Sequence, residues 1–228
     1  GVAGVVEGGI LPGMFGYETG QAAVGDAFDW LRRTVGAKDF RQLDAAAAAI
    51  APGADGVLAI DWLNGCRTPL MDGRLKGGFL GLALGHEPAH LYRALIEATA
   101  CGLRWIVELF ADASVPVKKL VATGGLPHHN PLLVQIYADI LGKPITVHPA
   151  KHGPALGAAI LGAMAAGKQA TGFSSAAAAV KAMAEPREDV AERRAKIVAP
   201  QRAASKAYEQ VYRQYRETAA WIAGEGRG

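Results

Sequence analysis

Val121-Ala122-Thr123-Gly124-Gly125-Leu126-Pro127-His128-His129-Asn130-Pro131 is the stretch on which the fold turns. Residues 119–123 read as a strand, and the glycine pair ends it. Asn130-Pro131 then reads as a helix start. The short amide caps free N–H groups, and proline suits the first helical position, where no N–H is needed. That helix is predicted to run to Leu141 and to stop at Gly142. Residues 145–148 read as the next strand, His152-Gly153-Pro154 as a turn, and 155–166 as a helix of small residues. Strand, helix, strand and helix with short connections predict a layered α/β core.

Working upstream, the clearest helix is predicted from Pro88 to about Ala111, with Leu91, Leu95, Ala98, Gly102, Trp105 and Leu109 on one stripe. Its i,i+4 pairs Arg93–Glu97 and Arg104–Glu108 read as solvated surface charge. Residues 56–62 read as a short strand and 66–85 as an irregular, glycine-rich segment. Residues 43–50 form a short alanine-rich helix. Helical spacing over 20–35 places Val24, Phe28, Leu31 and Val35 on one face. Residues 1–16 read as a strand and loop whose beginning is missing. The first methionine is Met14, so the chain is expected to be a piece of a longer one. Downstream, a last helix over about 203–223 carries Tyr208, Val211, Tyr212, Tyr215, Ala219 and Ile222 as a docking stripe, expected to pack back on a domain that is absent here.

Composition narrows the function. The 228 residues are 50% hydrophobic, with net charge +3 and no block of five like charges, so nucleic acid is not expected as a partner. No apolar run is long enough to span a bilayer, and no signal stretch opens the chain. Membrane is therefore not expected as a partner either. Two cysteines, Cys66 and Cys101, read as reduced thiols of a cytoplasmic protein. The sequence leaves a homodimer open.

Gly124 and Gly125 would let a ligand approach the backbone, since no Cβ stands in the way. The helix start behind them offers free N–H groups. That loop suits a flat, polar or anionic ligand, though a Gly-Gly turn before a capped helix is more often only a turn. Glu18, just before a helix, has carboxylate oxygens that can accept from sugar hydroxyls, against the plainer reading of an N-terminal charge. His128 and His129 are adjacent and so point apart, and no third ligand has useful spacing. No metal-binding residue is assigned. There is no nucleophile elbow and no cysteine beside a base.

Four blocks in order carry a family resemblance: 8–26, with Gly16-Tyr17-Glu18-Thr19-Gly20-Gln21 at its centre; Asp61-Trp62-Leu63-Asn64-Gly65 with Arg67-Thr68-Pro69; 91–102; and 123–139 continued by Pro154-Ala155-Leu156-Gly157. Together they resemble the C-terminal half of the FGGY carbohydrate kinases, most of all the members that phosphorylate L-ribulose. The resemblance implies an actin-like ATPase fold of ribonuclease-H type, a mixed sheet flanked by helices with a C-terminal helical tail. It implies ATP and Mg²⁺ as cofactors and transfer of the γ-phosphoryl group to a pentulose, O5 of L-ribulose. It places the adenosine motif on Gly124, Gly125 and Asn130, with the Asn side chain near adenine, and associates Glu18 with sugar. It implies residues 1–167 as an incomplete C-terminal kinase domain and 168–228 as a tail against the N-terminal domain. That missing domain would carry the catalytic base. No catalytic residue is therefore expected in this chain, which should not phosphorylate sugar alone. Phosphorylation of xylulose or another pentulose, or a non-enzymatic actin-like nucleotide-binding module, are the alternatives.

Overall fold

A computed structural model describes residues 4–10, 12–190 and 193–224. Residues 1–3 and Leu11, parts of the first predicted strand and loop, lie outside the described residues. The chain opens with an antiparallel hairpin, β1 (Gly4–Glu7) and β2 (Phe15–Glu18). Helix α1 (Gly25–Thr34) starts later than its apolar spacing suggested, leaving 19–24 as a strap. Helix α2 (Phe40–Ala48) follows, its start capped by Asp39, whose side chain accepts from the Gln42 N–H. Strand β3 (Leu58–Ile60) pairs antiparallel with β4 (Gly78–Leu80), a strand hidden in the segment expected to be irregular.

Helix α3 (Pro88–Asp112) is the axis of the domain. Pro88 sits in its first turn, and the Glu87 N–H donates to His90 Nδ1. Strand β5 (Leu120–Ala122) leads through the glycine pair to the single turn α4 (Leu126–His129) and then α5 (Pro131–Leu141). Strand β6 (Ile145–Val147) lies parallel to β5. Helices α6 (Gly153–Ala166), α7 (Lys168–Thr171) and α8 (Ala176–Met183) come next. Strand β7 (Lys196–Val198), which the sequence did not reveal, pairs antiparallel with β6 and makes the sheet mixed. Helix α9 (Arg202–Ala223) closes the fold.

Helix α3 packs against α2, α5, α9 and β3, so it is buried nearly all round and not along one stripe. Two expectations fail here. Arg93 and Glu97 are not surface charges: their side chains are 6% and 2% exposed. Arg93 donates to Glu97, to the Ala47 carbonyl and to Tyr208 Oη, while Tyr208 and the Gly53 N–H donate back to Glu97. Burial without such partners would be too costly for either charge. Arg104 and Glu108, also read as solvated, are half-buried and clasp Glu209 and Tyr212 of α9. The second failure follows from the first. The tyrosine stripe of α9 does not wait for another domain: Tyr208 and Tyr215 are fully buried in this chain's own core.

Candidate functional site

The turn after β5 and the start of α5 share one cavity. Gly125 and Asn130 line it with Phe28, Phe40, Asp44 and Tyr92, and its volume is about 380 Å³. The walls come from α1, α2 and α3, and the aromatic rings brace one another. The Phe28 and Tyr92 rings meet edge-on at 5.7 Å, and the Phe40 ring lies 6.1 Å from Tyr92. Gly124 holds φ +92°, where a side chain is strained, and a Cβ there would meet open space. Gly125 is helical and stands 3.6 Å (ideal Cβ) from His129 Cδ2.

Asn130 is 4% exposed and has its bonds placed. Its Oδ1 accepts from the Leu133 N–H, as its position before α5 predicted. Both hydrogens of its Nδ2 are engaged, one by Asp44 Oδ1 and one by Tyr92 Oη, each at 2.9 Å. Tyr92 Oη donates in turn to Asp44 at 2.9 Å. Asn130 therefore offers a ligand the rest of Oδ1 and a fixed wall, not a free amide. Burial pushes the Asp44 carboxyl and the Tyr92 hydroxyl both upward. The sequence reading missed Asp44 and Tyr92. A tyrosine beside the apolar stripe of the long helix was the available signal, but its partners lie far off in sequence.

Glu18 stands elsewhere. It is exposed at the end of β2 and pairs with Arg67 at 2.5 Å. Arg67 belongs to the second sequence block, whose pattern alone assigns it no role. The two places are joined by one strap: Glu18 precedes it at the end of β2, and Gly25, which lines the aromatic cavity, follows it at the start of α1. The strap is pinned from behind. Thr19 donates to Thr68. Gln21 Nε2 donates to Asp61 Oδ2 at 2.8 Å and to the Thr99 carbonyl at 2.9 Å. Tyr215 of α9 donates to the other Asp61 oxygen at 2.7 Å. Asp61 is 4% exposed, and burial pushes its carboxyl up to about 6 against the lowering pull of those donors. Gly102 makes room: a Cβ on it would lie 2.6 Å from Gln21 Nε2.

The two histidines diverge. His128 Nε2 donates to the His148 carbonyl, and His129 faces the aromatic cavity. Among the described residues no group of three His, Cys, Asp or Glu side chains is placed to hold a metal. Cys66 and Cys101 are buried free thiols, and burial raises the pKa of each, which disfavours the reactive thiolate. No helix among the described residues is long and apolar enough to cross a membrane.

The strap, the capped α5 and the mixed sheet are arranged as in the actin-like ATPase fold of sugar kinases. The chain superposes on the xylulose kinase of Rhodospirillum rubrum with TM-score 0.75 at 27% identity, covering 94% of this chain and 41% of that one. The model of the FGGY family of carbohydrate kinases, C-terminal domain, matches residues 1–166, and the chain belongs to that family. It is similar to a ribulokinase of Anoxybacillus flavithermus, 42% identical over 227 residues, and to one of Halalkalibacterium halodurans, 44% identical over 201 residues. The first match covers 94% of this chain and 39% of the relative; the second covers 83% and 36%. The chain thus spans about two fifths of the length of these relatives.

Proposed function

We propose that the chain is the nucleotide-holding part of a cytoplasmic kinase that moves the γ-phosphoryl group of ATP to a pentulose, L-ribulose giving L-ribulose 5-phosphate. One observation carries the nucleotide half: Gly125 and Asn130 share an aromatic-walled cavity of about 380 Å³, within the usual size of small-ligand pockets. Phe28, Phe40 and Tyr92 offer apolar faces to a purine, and Gly125 lets it approach the backbone. Gly124 stands just outside, open to the ribose and phosphates. Glu18, at the other end of the strap, would accept from hydroxyls of the sugar, with Arg67 holding its carboxylate. The sugar is inferred from the ribulokinase relatives. The xylulose kinase neighbour makes xylulose the alternative, and a substrate panel on the full-length enzyme separates them.

Residues 1–167 are assigned to the kinase domain, and 168–228, which add β7 and α9 to its sheet and core, would reach the N-terminal domain by surfaces other than the buried tyrosine stripe. ATP carries the phosphoryl group; this chain's own residues bind the base, orient the sugar and hold the strap between them. Phosphoryl transfer rests on positioning and charge stabilisation. The described residues hold no cluster suited to Mg²⁺, so the metal would be held by the phosphates and by residues of the rest of the enzyme. The base that takes the hydroxyl proton is likewise assigned to the rest of the enzyme.

Titration calorimetry with ADP tests the nucleotide half. The 228-residue chain should bind weakly, in the high micromolar range or above. Gly125→Val, which narrows the cavity while keeping a helical backbone, should abolish the heat, and Asn130→Ala should weaken it at least fivefold. Equal binding by all three proteins would show that the loop is only a turn. The chain alone should release no sugar phosphate from ATP and L-ribulose; measurable turnover would place the base within it.

A further inference from the structure

A second concavity lies beside α4, and the nucleotide reading does not use it. Pro127 and His128 face it, whereas Leu126 and His129 face the aromatic cavity, so the single turn of α4 divides the two. The groove measures about 570 Å³. Its floor is apolar, from Val134 of α5, Val147 of β6 and Val198 of β7. Its rim is cationic: Lys151, Arg194 and Lys196 line it, and among the described residues that line it none is a carboxylate.

Among the described residues the three cations keep donors unspent. Among the described residues, the ammonium groups of Lys151 and Lys196 make no hydrogen bond or ion pair. Arg194 donates its Nε to the Glu188 carbonyl at 2.6 Å, and among the described residues its two terminal nitrogens have no partner. Several arginines elsewhere in the chain are paired. Arg32, Arg67, Arg74, Arg93, Arg104 and Arg187 all have carboxylate partners. Gln135 is held by Asp139 and the Ala199 carbonyl, and both partners occupy its N–H groups, so its Oε1 remains an acceptor at the groove.

We infer that this groove is a binding site for a small organic phosphate, its apolar body on the valine floor and its phosphate on Lys151, Arg194 and Lys196. A concave apolar floor with a few convergent charged groups is the usual form of a small-ligand site. Arginine and lysine on one rim suit a phosphate, with the guanidinium offering paired donors and the ammonium groups point charges. A concavity of about 570 Å³ is of the size that holds a small molecule. The inference stands apart from the nucleotide reading, because no cation of the groove touches the aromatic cavity.

Amide chemical-shift titration of the 228-residue chain tests it, with 1-naphthyl phosphate as the probe and 1-naphthol and inorganic phosphate as its two halves. Naphthyl phosphate should give saturable shifts at Val134, Gln135, Lys151 and 196–198. Each half alone should bind at least tenfold more weakly. Lys151→Glu with Lys196→Glu should weaken naphthyl phosphate at least tenfold, and both positions are exposed, so the fold should be retained. The milder Lys151→Ala with Lys196→Ala should weaken it severalfold and guards against a folding artefact. Shifts confined to Phe40, Tyr92 and Gly125, equal binding of 1-naphthol, or unchanged binding by both double variants would each overturn the inference.

Discussion

Asp61 holds the strap through Gln21 and is itself held by Tyr215, and its ionisation sets a pH dependence. An ordinary aspartate ionises near pH 4, whereas Asp61 in the folded chain ionises near 6, with burial as the largest cause. Between those values the folded state binds a proton that the unfolded state has released. Stability from this group therefore falls as pH rises from about 4 to about 6 and is level above that. Two pKa units correspond to about 3 kcal/mol, an order-of-magnitude figure for a fully buried group. Asp61→Asn should flatten the slope of melting temperature between pH 4 and 6 relative to the parent. An identical slope in both proteins would assign the effect to other carboxylates. Glu97 makes a different case. It is enclosed with Arg93, and its second oxygen has no hydrogen-bond partner. Glu97→Ala would leave the guanidinium buried and unpaired, a loss of about 3–5 kcal/mol in urea unfolding. Glu97→Gln, which keeps a carbonyl for the same donors, should cost less.

At the scale of elements, helix spacing was legible and partnership was not. The apolar periods over 88–111 and 130–141 found α3 and α5 to within a residue or two at each end, because large apolar residues recur at helical spacing in both. The cap at Asn130 was legible because capping is local. Arg93 and Glu97 were misread because i,i+4 charge spacing looks the same on a wet face and a dry one. What decides their burial is Tyr208, more than a hundred residues away. Asp44, the other partner of Asn130, is likewise remote. Strand β7 escaped because three residues on a sheet edge carry little pattern. The tyrosines of α9 were recognised as a docking stripe, but the surface they meet belongs to α3, α5 and β3 of the same chain. Backbone amides in the middle of α9 should therefore exchange with solvent as slowly as those of α3. Exchange at the rate of a frayed helix would show that α9 is not docked.

The whole molecule is unevenly covered. Around α3 the core is closed, but the hairpin β1–β2 leaves Val6 59%, Phe15 60% and Ile10 75% exposed. Among the described residues β5 pairs only with β6, and beside it lies an apolar trough lined by Leu103, Leu120, Leu133 and Tyr137. An open strand edge next to an apolar trough and an apolar hairpin favours association with another chain or with more of the same protein. The hairpin ends at Glu18 and leads directly into the strap, so whatever covers it bears on the Glu18–Arg67 pair. The 228-residue chain should sediment as a concentration-dependent mixture of monomer and larger species. Val6→Lys with Phe15→Glu, both outward-facing, should shift the mixture toward monomer with little change in melting temperature. If both proteins sediment as monomers at every concentration, the exposed hairpin is satisfied by solvent alone, and neither a homodimer nor a covering domain is needed to explain it.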